Sequence, residues 1–262
     1  MKIACAGDNC IDLYEQTGER FPGGNPVNVA VNVVRLGGNA SYLGAVGTDD
    51  SGKLVLDALS GRGVDVSHVR TVKGKTTVSH VIMVGGERTF GDYDEGVMKD
   101  FRLSEEDVDF ICTQDLFVTS LWGHCEDALQ QIQGAGVPTA FDASERPFSG
   151  PAQKAAPYTD VFFFSDDRSG RPELEEMMRR IRETGARTVV AMRGHNGSLA
   201  LDETGFVSQG IVSEEVVDTI GAGDSYIAGF LTARTEGRPL GECMRAGAES
   251  AAVTIRVRGA WA

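Results

Sequence analysis

Positive charge is in short supply in this chain. Its 262 residues hold 25 Lys and Arg against 38 Asp and Glu, a formal net charge of −13. That balance argues against a nucleic acid or an anionic membrane as partner. Long apolar runs are missing too: no stretch approaches the ~20 residues of a membrane span. The opening "MKIACAGDNC" lacks the apolar run of a secretory signal. The five cysteines are odd in number and form no C-x-x-C pair, so free thiols in a reduced, cytoplasmic setting are expected. His68, His80, His124 and His195 are nowhere paired at metal-ligand spacing. Internal repeats and low-complexity tracts are absent. The chain also has no G-x-x-x-x-G-K-[ST] loop, no H-R-D or D-F-G signature and no G-x-G-x-x-G fingerprint, which sets aside P-loop enzymes, protein kinases and dinucleotide-binding folds.

What is present is an alternation of short apolar runs and helical patterns. Lys2–Ala6, "SYLGAVG", Leu116–Ser120, Thr139–Asp142, Val161–Ser165 and Thr188–Met192 read as strands. Helices are expected over Asn25–Gly37, Asp50–Arg62, Glu173–Thr184 and Leu240–Val257. The alternation predicts one α/β domain over 1–262, with a mostly parallel central sheet and helices on both faces. Two stretches break the pattern. "TTVSHVIMVGGERTFGDY" reads as a hairpin about Gly85-Gly86, and Leu13–Phe21 is β-rich. Together they predict a small β lid, near 13–22 and 70–93, over the carboxyl edge where such sheets bind ligands.

The chemistry concentrates in "DTIGAGDSYIAGF", Asp218–Phe230. A helix starting near Gly221–Gly223 exposes unpaired N–H groups and a partial positive charge, which suits a phosphate or oxyanion. Asp224 then lies in the first turn. An anion cradle beside a carboxylate fits phosphoryl transfer: amides stabilise the moving phosphoryl group while the acid takes the acceptor proton. Gly221, Ala222, Gly223 and Asp224 are the expected catalytic residues. The helix dipole is expected to lower the Asp224 pKa. A capping acid on an ordinary helix is the plain alternative for so short a motif.

"DTIGAGDSYIAGF" and "FPGGNPVNVAVNVVRLGG" resemble the two signatures of the ribokinase-like sugar kinase family. "GAVGTDDSGKLVLDALSGRGVDVSHV" and "VVAMRGHNGSLA" fall in family order between them, so the likeness runs nearly end to end. It implies a ribokinase-like fold, ATP and Mg2+ as cofactors with a monovalent cation left open, and a homodimer through lid strands. Position by position it implies Asp224 as base, Gly221–Gly223 as anion hole, and Asp12, Gly23, Gly24, Asn25 and Asn28 around the sugar. Arg193, Gly194, Gly197 and Thr219, with Gly221 and Gly223, would border ATP. "GDNCIDLY", "RTFGDYDEGVM", "LWGHCEDAL" and the final "GAW" resemble the branch that phosphorylates the 6-hydroxyl of fructoselysine, an Amadori compound. Another ketose, sugar or nucleoside acceptor, and a catalytically weak sugar sensor, stay open.

Asp8 and Asn9 follow the first strand, where a ligand or an Asx-turn would account for them. "GDYDEG" offers Asp92, Tyr93, Asp94 and Glu95; Glu95 or Asp92, with Tyr93, is expected to face the substrate, a solvated hairpin end being the alternative. Trp122 is either an aromatic wall for the sugar or core packing. One departure stands out. The family's Asn-x-x-Glu, which orders magnesium, is replaced by "SDDR", Ser165–Arg168, so no metal ligand is assigned.

Overall fold

The computed structural model describes residues 1–84, 87–212 and 215–261. The Gly85-Gly86 turn lies outside them. In chain order the strands are β1 (Lys2–Ala6), β2 (Cys10–Tyr14), β3 (Arg20–Gly23), β4 (Asn39–Gly47), β5 (Val69–Val72), β6 (Val78–Val84), β7 (Glu87–Asp94), β8 (Leu116–Ser120), β9 (Thr139–Asp142), β10 (Val161–Ser165), β11 (Thr188–Met192), β12 (Ser198–Asp202) and β13 (Gly205–Gln209). The helices are α1 (Asn25–Arg35), α2 (Asp50–Gly61), α3 (Glu105–Ile111), α4 (Leu129–Gly134), α5 (Gly150–Ala155), α6 (Arg171–Glu183), α7 (Ala222–Thr235) and α8 (Leu240–Thr254).

Nine strands form one sheet in the order β13-β12-β11-β10-β9-β8-β1-β4-β5. Every pair from β11 to β5 is parallel, and β12 and β13 add an antiparallel edge. Both faces are covered, because successive side chains of a strand point opposite ways. Ile3, Cys5 and Phe163 enter one core, shared with Val27, Val31, Ile227 and Met244 of α1, α7 and α8. Ala4, Ala6, Phe162 and Phe164 enter the other, shared with Val108, Leu129, Leu174 and Met178. The expected α/β architecture is therefore present.

A second sheet runs β3-β2-β6-β7. One of its connections to the large sheet runs through Gly23 and Gly24 straight into α1. Val69–Val72, inside the segment expected to form the lid, instead pairs with β4 at the edge of the large sheet. The terminal helix also ends earlier than its pattern suggests, at Thr254. The Ile255 carbonyl accepts the amides of Val217 and Asp218, drawing the following residues back toward the start of α7. All five cysteines are free, and no helix among the described residues is long and apolar enough to cross a membrane.

Candidate active site

The carboxyl ends of β1, β8 and β9 and the starts of α1 and α7 meet at one cleft. Gly221 caps α7 with φ +71°, a left-handed conformation that suits glycine. A Cβ there would lie 2.6 Å from the Ala260 Cβ. Asp218 holds the preceding turn: its Oδ1 accepts the Ile220 amide at 2.8 Å and its Oδ2 the Gly259 amide at 3.0 Å. The amides of the first helical turn, including Gly223, have no helix carbonyl to bond. Asp224 is the next residue and remains partly exposed.

The N-terminal turns of α1 grip that carboxylate. Asn28 donates to Asp224 Oδ2 at 2.7 Å, and Asn25 donates to Oδ1 at 2.7 Å. The other hydrogen of the Asn25 amide goes to Asp142 Oδ2 at 2.5 Å. Asp8 accepts the Asn25 backbone amide at 3.0 Å and the Ser120 hydroxyl at 2.6 Å. Gly24 (φ +112°) is needed for the close approach, since a Cβ would lie 2.7 Å from both Asn9 Cα and Asp8 O. Gly23 leaves room in the same way for Asp12, whose Oδ2 would lie 2.6 Å from a Cβ.

Asp8, Asp12, Asp142 and Asp224 thus crowd one space. Burial, then repulsion from Asp142, Asp8 and Asp12, holds the Asp224 carboxyl well above the usual carboxylate range, while the Asn28 hydrogen bond pulls the other way. This overturns the expectation that the helix start lowers it: burial and three neighbouring acids outweigh one partial charge. Burial likewise raises Asp142, to about 6, against donors from Ser144 and Asn25. Asp8 is raised for the same reason. Asn9 Oδ1 and Asn25 Oδ1 are buried acceptors with no partner among the described residues. The cleft is rich in acceptors and short of donors.

Other expected residues divide. Asn9 is wholly buried and spends its amide on Tyr42 Oη and Ala45 O, so it braces the cleft floor. Tyr93, 43% exposed, lies within electrostatic reach of Asp8, Asp12 and Glu95. Asp94 accepts the Gly96 amide, and Asp92 is exposed. Trp122 is 41% exposed, with its ring centroid 6.4 Å from Tyr93 and the Arg146 guanidinium 5.4 Å from its ring; it belongs to the wall rather than the core. Gly194 (φ +53°) and Gly197 (φ +78°) shape the turn after β11, and Met192 at the strand end abuts Gly223. Arg193 donates to Ser169 O at 3.2 Å. In "SDDR", Asp166 caps its own loop through the Arg168 and Ser169 amides. Thr219 lies in the turn before α7, and its carbonyl accepts the Ala222 amide.

Asp142 and Ser120 were not singled out from sequence. Both end strands that were recognised, so the rule that flagged Asp8, a polar residue at a carboxyl strand end, would have found them. A cavity of about 870 Å³ lies elsewhere, at the opposite sheet edge beside Met1, Asp115 and Arg187; it contains none of these groups.

Comparison with known proteins places the chain by sequence and by fold. The chain is 43% identical to the fructoselysine 6-kinase of Shigella flexneri over 99% of both chains. It is 35% identical to the fructosamine kinase of Bacillus subtilis over 100% of this chain and 93% of that one. Among solved structures, Arabidopsis thaliana ribokinase complexed with ribose and ATP superposes with a TM-score of 0.86 at 21% identity, covering 99% of this chain and 93% of that one. A sequence model described as the pfkB family carbohydrate kinase matches residues 3–262, and the chain belongs to that family.

Proposed function

We propose that this carbohydrate kinase transfers the γ-phosphoryl group of ATP to the 6-hydroxyl of fructoselysine, with Asp224 as general base. The observation that carries the reading is the position of Asp224: one residue beyond Gly223 on the first turn of α7 and held by two side-chain amides. An acceptor hydroxyl beside it lies between a carboxylate and a set of backbone N–H donors. The acid accepts the proton as the oxygen–phosphorus bond forms, and the amides of Gly221 and Gly223 would face the charge on the phosphoryl oxygens. A carboxyl pKa above the usual range makes Asp224 a stronger base once ionised.

Four acids favour a substrate that brings donors. A ketose supplies hydroxyls, and the secondary ammonium of an Amadori compound supplies N–H and positive charge. Tyr93 and Trp122 offer aromatic faces to that cation, Glu95 stands beside Tyr93, and Arg146 is presented for the carboxylate of the lysine head. A sugar phosphate would meet mutual repulsion here. The small sheet acts as a lid that excludes water from the phosphoryl group.

ATP would lie along the Gly194–Gly197 turn. Magnesium in such sites is held largely by phosphates and water, with one or two carboxylates. Among the described residues, no three or more acidic, His or Cys side chains are arranged so that they could hold a metal ion. Asp167, 60% exposed and only loosely paired with Arg168 at 3.7 Å, fits that sparse role; the metal would offset the charge of the phosphates. Coupled ATPase assays with fructoselysine, other Amadori compounds, fructose and ribose test the reading. A preference for fructose or ribose would overturn the substrate assignment.

A further inference from the structure

Residues 259–261 return across the site after α8 ends. Gly259 bonds Asp218, and Ala260 packs against Gly221. The Trp261 indole Nε1 donates to Asn28 Oδ1 at 2.8 Å, and its ring lies under the Arg62 guanidinium at 5.8 Å. We propose that Trp261 is a positioning residue for phosphoryl transfer, locking Asn28 in the orientation in which its amide grips Asp224. The inference rests on the reading of Asp224 as the base.

The argument is one of donors and acceptors. An indole N–H only donates, and a carboxylate only accepts. Asn28 sits between the two, 5% exposed, with little access for water to replace a lost partner. Only one orientation satisfies both neighbours: carbonyl toward Trp261, NH2 toward Asp224. The flipped amide would set N–H against N–H and oxygen against oxygen. Without the indole N–H, half of that penalty disappears, Oδ1 loses its donor, and the orientation rests on Asp224 alone. The groups facing Asp224 are Asn25 and Asn28 from α1, Asp142 from the end of β9, and Asp8 and Asp12 from the β1–β2 segment. Its side-chain donors are the two asparagine amides. That of Asn25 is oriented by two acids, whereas that of Asn28 is oriented by one acid and the indole.

The test uses Trp261→Phe, which keeps an aromatic ring under Arg62 and removes the donor, and Trp261→His, which returns a ring N–H. Loss of one charge-assisted bond predicts a kcat lower by about 10-fold in the Phe variant. KM for ATP should be unchanged. The acid limb of kcat/KM should move about half a pH unit or more upward, because Asp224 loses a donor that favours its ionised form. The His variant should recover part of the rate. A merely structural role would lower the unfolding temperature and leave that limb in place, so an unshifted acid limb overturns the proposal whatever the rate. Asp224→Ala separates the two levels. If it is inactive while Trp261→Phe keeps the wild-type pH profile, only the positioning role fails; if it retains near-normal turnover, the base assignment fails and this proposal with it.

Discussion

Asp142 and Asp224 are joined by a single amide: Asn25 gives one hydrogen to each, at 2.5 and 2.7 Å. Two acids on separate elements, the end of β9 and the start of α7, are thereby held at a separation that neither element sets alone. The proton affinity of the proposed base is a property of this pair and its neighbours, and the first prediction concerns its removal.

Asp224→Ala should lose on the order of 10³-fold or more in kcat, in line with the larger single catalytic contributions. Nucleotide binding should survive, because the Gly194–Gly197 turn and the helix amides are untouched. Calorimetric titration with ATP beside a turnover assay reads both quantities.

Asp224 must be ionised to accept a proton, and its pKa is raised by burial and by Asp142, Asp8 and Asp12. Activity should therefore fall on acidification at a pH well above the ordinary carboxylate range. Asp142→Asn removes one repelling charge, so the acid limb of kcat/KM should move downward. A limb that stays in place would detach Asp142 from the titration.

The same residue bears on stability. A carboxyl raised to about 6 in the folded state, against ~3.9 unfolded, binds its proton more tightly when folded. Its contribution is fully present below the unfolded value and is lost as pH rises toward 6, which costs on the order of 2–3 kcal/mol above that. Asp142→Asn should raise the unfolding temperature by several degrees at pH 7.5. At pH 4 the gain should nearly vanish. Scanning calorimetry at the two values decides it.

Gly24→Ala should destabilise the fold by about 1–3 kcal/mol, since φ +112° and contact with Asn9 and Asp8 both exclude a side chain. Urea unfolding measures the loss. A neutral substitution would mean that this junction relaxes easily.

Glu95→Gln should reduce the preference for fructoselysine over fructose, by about 10-fold for one charged contact, with kcat on fructose unchanged. Paired kcat/KM values give the ratio, and an unaltered one removes Glu95 from the ammonium site.

Much of the fold was legible because its signals are local. The strand Lys2–Ala6 and the starts of α1 at Asn25 and α2 at Asp50 follow from apolar runs, Pro26 and an N-capping acid, Asp49, which accepts the Gly52 amide. The site was only partly legible. Glycines and Asp224 announce themselves through spacing, whereas Asp142 acquires its neighbours from a crossover that brings residue 25 beside residues 142 and 224. The rise in the Asp224 pKa was missed for the same reason: it comes from burial and from charges on two other segments. The end of α8 was misread because the partner of the Ile255 carbonyl lies some forty residues earlier.

Gly24 also separates the last residue of β3 from Asn25, the residue that touches both acids. On the proposed reading of the four-stranded sheet as a lid, its tilt on substrate binding would turn the first rung of α1 with it, so arrival of a cargo and readiness of the proton acceptor would be geared through this close-packed junction. A water molecule, too small to engage the sheet, would leave that gear unmoved.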